Sequence, residues 1–134
     1  MTEWNIKKQF AVNGIDFFVD TNILIYMLEK HPAVSIISQF SLAVSVITEI
    51  ELLGKKNISL HEVNTVRGIL KGCEIVDFSD TIKEITISLK QKYSIKIPDA
   101  IIAATATCFN LPLVTADMDF KKIEGVDIVL LDLY

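Results

Sequence analysis

Cysteine, histidine and positive charge are all scarce in this 134-residue sequence, and each scarcity removes a class of function. The two cysteines, Cys73 and Cys108, form no C-x-x-C pair, so neither a zinc site nor a disulfide framework is expected. A reducing compartment, the cytoplasm, follows as the expected location. There is no G-x-S-x-G. The only histidines are His31, before a proline at a helix end, and His61, in a helix first turn, so a serine or cysteine hydrolase finds no support. No apolar run reaches the roughly 18–20 residues of a membrane span. The richest stretches are broken at Asp20, Glu49 and Asp99, and no membrane association is expected. The opening "MTEWNIKKQF" has lysines without an apolar region behind them, which argues against a secretory signal. Repeats, low-complexity segments and linkers are missing as well. With 13 basic against 17 acidic residues the net charge is −4, unlike that of a generic polyanion binder. Nucleic acid stays compatible if acids converge on divalent cations, because two dications would cancel that charge.

What is present is a core. Half the residues are apolar (51%), and the length suits one domain over residues 1–134. Short β-branched runs alternate with helical stretches, which predicts an α/β fold around a mostly parallel sheet. "IDFFVD" (15–20), "LAVSVI" (42–47), "CEIVDF" (73–78), "LPLVTAD" (111–117) and "DIVLLDLY" (127–134) read as strands. "TNILIYMLEK" reads as a helix stopped by His31-Pro32, with a short helix over 33–39. Thr48 and Glu51 form a T-x-x-E capping box that predicts a helix start, ending at Gly54. Ser59 with Glu62 repeats the signature for a helix to about residues 71–72, and Ser79 or Asp80 caps the next. Pro98 sits as a first-turn residue of "PDAIIAATATCFN", apolar on nearly every face. Asn13-Gly14 predicts a hairpin turn that would pair residues 8–12 with the first strand.

Acids recur where these strands give way to helices or loops. Asp20 ends the first strand, Glu49 follows the second, and Asp117 and Asp119 follow the fourth. Asp99 lies in the first turn of the apolar helix. In a parallel sheet the carboxyl ends of the strands share one edge, where ligands bind. Taken singly, each acid reads as a helix cap, a first-turn residue favoured by the helix dipole, or a turn residue. Taken together, the separate readings do not account for acids from five positions converging on one edge. Carboxylates held close must protonate or bind a cation. An oxygen-only set suits Mg²⁺ or Mn²⁺ better than zinc.

"FFVDTNILIYML", "SVITEIELLG", "IPDAIIAATA" and "LVTADMDF", in that order, resemble the PIN-domain ribonucleases, and among them the VapC-like toxins of type II toxin–antitoxin systems. The resemblance covers residues 15–134. It implies a PIN-like three-layer fold, with about five mostly parallel strands flanked by helices. It also implies a Mg²⁺- or Mn²⁺-dependent endoribonuclease. Asp20, Glu49, Asp99 and Asp117 stand at the family's four acidic positions. The resemblance makes Asp20, Asp99 and Asp117 metal ligands and Glu49 a ligand or a water-orienting group. Asp119 becomes an accessory acid, and Thr21, Asn22 and Thr115 supporting residues: a hydroxyl on a carboxylate or metal water, a brace for the Asp20 rotamer, and a pocket hydroxyl. Two ions about 3.5–4 Å apart would activate water and the leaving 3′-oxygen. Implied partners are RNA, a cognate antitoxin whose C-terminal segment lies over the crevice, and a second copy. The apolar surfaces of helices 21–28 and 98–109 also suggest that homodimer. Residues 1–14 are an extension beyond many relatives and carry no motif that assigns them a role. Lys55, Lys56, Arg67, Lys121 and Lys122 are the candidates for gripping RNA, Lys55–Lys56 foremost because they follow the helix bearing Glu49.

Rival readings fit less well. A haloacid-dehalogenase-like phosphatase wants an acid two residues after Asp20, where Asn22 stands. A phospho-receiver domain wants paired acids after its first strand and a lysine ending its last, and "FFVDTN" and "IVLLDLY" supply neither. A housekeeping PIN nuclease shares the same chemistry. A catalytically silent PIN-like binding module would have no reason to keep the repelling acids.

Overall fold

The computed structural model describes residues 14–133. Five strands, β1 (Phe17–Val19), β2 (Leu42–Ser45), β3 (Cys73–Val76), β4 (Leu113–Thr115) and β5 (Ile128–Leu130), form one sheet in the order β3-β2-β1-β4-β5. Every pairing is parallel. The helices are α1 (Thr21–Leu28), α2 (Val46–Leu53), α3 (Leu60–Leu70), α4 (Asp80–Lys92) and α5 (Ile97–Phe109). Two 3₁₀ segments, Pro32–Gln39 and Met118–Lys122, complete the chain. The α/β class and the five-stranded sheet flanked by helices are those the sequence predicts. Among the described residues no helix is long and apolar enough to cross a membrane.

Successive residues of a strand face opposite sides of the sheet, and here both sides are covered. Val19, Leu42, Val44 and Val114 pack with Ile23 and Leu24 of α1 and Val66 and Leu70 of α3. Phe18, Ala43 and Leu113 face the other way, onto Ile102, Ala103 and Ala106 of α5. The result is three layers, with the sheet in the middle. Across the outer face of α5, Ile82 of α4 meets Ala104 and Cys108. Alanine at 100, 103, 104 and 106 keeps that helix thin enough to lie between sheet and α4. The hydroxyls of Thr105 and Thr107 donate back to the carbonyls of Ile101 and Ala103, so their burial leaves no polar group unmatched. The apolar girth of α5 is therefore covered from within the chain and does not itself call for a second copy.

All five strands are shorter than the sequence reading has them, and the boundary that matters for the site is the one between β2 and α2. α2 begins at Val46, capped by Ser45, whose hydroxyl accepts from the Ile47 amide at 3.0 Å. Thr48 is thus inside the helix rather than its cap, and the second strand ends at Ser45, two residues earlier than predicted. Ser45 offers a capping oxygen first, and Val46 and Ile47 are half-buried, so packing outweighs their strand preference. The hairpin partner at residues 8–12 lies outside the described residues. Within them, β1 is bordered by β2 on one side and β4 on the other. Ser59 and Ser79 cap α3 and α4 through the amides of Glu62 and Ile82.

Candidate active site at the carboxyl edge of the sheet

From β1 the chain builds outward through β2 to β3, then returns to the other side of β1 with β4 and β5. The order therefore reverses between β1 and β4, and a crevice opens beyond the carboxyl ends of strands at such a point. Asp20 follows β1 and Thr115 ends β4, so both stand at that reversal.

Asp20 is 3% exposed. It is the N-cap of α1: Oδ1 accepts from the Ile23 amide at 2.8 Å. Oδ2 accepts from the Thr115 hydroxyl at 2.5 Å, and that hydroxyl in turn accepts from the Asp117 amide at 3.0 Å. One buried hydroxyl thereby ties the ends of β1 and β4 together. The Asp20 rotamer is held by Ile23 and Thr115, while Asn22 lies exposed on the crevice lining. Burial pushes the Asp20 pKa up, against the two hydrogen bonds that lower it, and Asp99 and Asp117 push it further.

Asp99 enters from α5. The helix starts at Ile97 with Pro98 in its first turn, and Lys96 is its N-cap without a side-chain capping bond. Partial burial raises the Asp99 pKa first, followed by repulsion from Asp117 and Glu51, while Lys96 opposes the shift. Asp117 caps the Met118–Lys122 segment, its Oδ1 accepting from the Asp119 amide at 2.9 Å. Asp20, Thr21, Asn22, Glu51, Asp99 and Asp117 all line one crevice of about 420 Å³.

The fourth acid of the crevice is Glu51, not Glu49. The Thr21 hydroxyl donates to Glu51 Oε1 at 2.8 Å, and Thr48 Oγ1 lies 2.9 Å from Thr21 Oγ1. Each hydroxyl has one proton, so Thr48 donates to Thr21 and Thr21 to Glu51. Thr48 and Glu51 are three apart and share a face of α2. Glu49 is two residues from Glu51, about 200° around the helix at 3.6 residues per turn, and does not line the crevice. The starting point of α2 decides this, and Glu51 was open to notice as the second acid of "TEIE" one turn beyond the cap.

The remaining candidates are dispersed. Asp119 is exposed and lines an adjoining cleft with Asp99 and Asp117. Lys55 pairs with Glu62 at 2.8 Å, and Lys56 and Arg67 are exposed; none of these cations lines the crevice. The cation that does line it is Lys96, which the sequence reading passed over.

The donors are carboxylate, hydroxyl and amide oxygens, with no histidine or cysteine among the lining residues. Among the described residues no three His, Cys, Asp or Glu side chains stand so that they alone could hold a metal ion. An open rim of hard oxygens, two of them on acids whose ionisation is disfavoured, fits a Mg²⁺-like ion that keeps several waters. It does not fit zinc, which takes a tight set of nitrogen and sulfur ligands.

A three-layer α/β fold with an acidic crevice at the strand reversal narrows the class, and the comparisons name the family. The PIN domain family matches residues 17–126, and the chain belongs to that family. A chain of a toxin–antitoxin complex from Klebsiella pneumoniae is similar at 33% identity and TM-score 0.74, covering 89% of this chain and 98% of that one. A chain of VapBC2 from Rickettsia felis, bound to a DNA fragment from its promoter, is similar at 26% identity and TM-score 0.72, over 88% and 100%. PAE2754 from Pyrobaculum aerophilum, at 16% identity and TM-score 0.56 over 87% and 85%, shares the fold. Curated proteins gave no match. The VapC-like resemblance read from the four motifs is borne out.

Proposed function

We propose that this chain is a Mg²⁺- or Mn²⁺-dependent endoribonuclease and the toxin of a toxin–antitoxin pair. The observation that carries the nuclease reading is the gathering of Asp20, Glu51, Asp99 and Asp117 from four separate segments into one crevice, with the ionised forms of Asp20 and Asp99 disfavoured. Bound there, a dication would lower the pKa of a water and offset charge on the phosphate. Asp99 and Asp117 would hold it, with Asp20, whose carboxylate oxygens keep lone pairs beyond the hydrogen bonds they already accept. Thr115 and Ile23 keep Asp20 aimed; Thr21 and Thr48 do the same for Glu51, which is placed to orient the attacking water. Glu51 takes the role that the sequence reading gave to Glu49. Asn22 and Asp119 border the phosphate's approach.

The similarity to chains of toxin–antitoxin complexes supports a cognate antitoxin as partner. Ile36, Ile50, Leu60, Phe78, Ile87, Ile97 and Met118 remain exposed, which supports a second copy covering part of this surface. Its proposed substrate places the protein in the cytoplasm.

The test is cleavage of single-stranded RNA by the purified chain with Mn²⁺, with EDTA, and as Asp20→Asn. Asparagine is as good an N-cap as aspartate, so the variant keeps α1. We expect at least about a hundredfold loss of rate, because the missing interaction acts in the transition state. Equal cleavage in EDTA would sink the mechanism.

A further inference from the structure

Beside the acidic crevice runs a second, larger cleft of about 600 Å³, between the α4–α5 loop and the Met118–Lys122 segment. The two share Lys96, Asp99, Asp117 and Phe120, so they meet at the acids. We propose that this cleft is the track for the single-stranded RNA next to the scissile phosphate, with Lys96 clamping a backbone phosphate where cleft and crevice join. The proposal rests on the nuclease reading and adds the path and grip of its substrate.

Charge is divided along the cleft. Lys90, Lys96 and Lys122 line it together with Asp99, Asp117 and Asp119. Lys90 comes from α4 and donates to the Ile95 carbonyl at 2.5 Å; Lys122 comes from the other wall and donates to the Ser94 carbonyl at 2.8 Å. These bonds pin the loop between the walls. An ammonium has three N–H donors, so each lysine keeps two for phosphate oxygens. Glu124 braces the outside of the same loop: its amide donates to the Tyr93 hydroxyl at 3.0 Å, and its carboxylate pairs with Lys92 at 3.3 Å. The loop is therefore fixed against both neighbouring elements before any strand arrives.

Lys96 differs from the other two. It is exposed, and among the described residues no ion pair engages its ammonium. Its charge already reaches Asp99. A strand whose scissile phosphate lies over the acids must pass Lys96 to enter the larger cleft, since that residue belongs to both linings. Tyr93 and Ile95, both half-buried, supply apolar wall against which an unpaired base can lie, a mode open to single strands and closed to a stacked duplex.

The experiment measures binding of a fluorescently labelled single-stranded oligoribonucleotide of mixed sequence to the Asp20→Asn chain, which binds without cutting, over a range of salt. Adding Lys96→Gln should weaken binding about tenfold and flatten the plot of log affinity against log salt by about 0.7, the signature of one lost phosphate contact on a single strand. Lys71→Gln, on an exposed lysine that lines neither cleft nor crevice, should change neither. The Mn²⁺-induced rise in melting temperature should survive Lys96→Gln, which separates the clamp from the acids. If Lys96→Gln leaves affinity and salt slope unchanged while wild type still cleaves RNA, the track is wrong and the nuclease reading stands. Equal weakening by Lys71→Gln, or equal binding of a duplex, would also overturn it. If the parent binds no RNA and wild type cuts none, the nuclease reading fails and the proposal with it.

Discussion

At the carboxyl edge of the sheet Asp20, Ser45, Thr48 and Thr115 are polar and buried. At the amino edge the same three strands, β1, β2 and β4, begin in Phe17, Leu42 and Leu113. There Phe17 meets Phe40 edge-on at 5.1 Å, and Met27, Val34, Phe40, Leu42 and Ile69 line a largely apolar hollow of about 440 Å³. The backbone differs too: helices begin at the carboxyl edge, where Asp20 and Ser45 cap their first amides, and end at the amino edge. The other buried polar groups, Thr86 and Thr105, bond to carbonyls of their own helices and belong to neither edge. The amino edge buries apolar side chains, with Lys30, His31, Ser35 and Ser38 as the polar part of its hollow. The other keeps acids that repel one another, and it works against folding until something neutralises them.

The largest expected effect that would break this contrast is on catalysis. Glu51→Gln should lower RNA cleavage by at least about a hundredfold, since it removes a group acting in the transition state. Glu49→Gln, on the other side of α2, should stay within a few-fold of wild type. Rates for the two variants decide the matter, and the reverse pattern would show that the face of α2 has been misassigned.

Stability should respond in the opposite sense. Leu42→Ala, at the amino edge, should lose about 2–5 kcal/mol in urea denaturation and leave the rate per folded molecule unchanged. A drop in that specific rate would mean that the two edges are not independent.

The smallest effect is with pH. Asp20 and Asp99 have folded pKa values above their ordinary 3.8, so the folded state binds protons that the unfolded state releases. Stability then falls as pH rises through that window and grows as pH is lowered from neutral towards 3.8. In the presence of a chelator the melting temperature should climb modestly on that descent, and less so in Asp20→Asn. A flat or falling curve between neutrality and pH 4 would count against the strain assigned to the carboxyl edge.

Much of the crevice could be read from the chain alone because the acids interrupt apolar sequence. Asp20 ends a run of aromatic and β-branched residues, Asp99 follows Pro98, and Asp117 closes "LVTAD"; these local facts survive folding. The choice between Glu49 and Glu51 did not, because it depends on helix phase, which depends on the starting residue. Val46 and Ile47 read as strand, and only their packing shows that Ser45 has already begun the helix. The pattern of α5 showed that every face must be covered and suggested a second copy for part of it; α4 of the same chain does most of it. Lys96 was invisible for another reason. An exposed lysine looks like any other until the α4–α5 loop is folded beside the acids.

The depth of α5 has a consequence for control. Covered by sheet on one side and α4 on the other, the buried middle of this helix, from Ala103 to Cys108, has no cheap local opening, so its amides should be among the slowest to exchange with solvent. Asp99 rides on the first turn of that helix. A ligand occupying the crevice from outside would restrain the site without unfolding this helix. Such restraint lasts only as long as its supply, and on its removal the acids stand where they stood before, with no refolding step to delay them.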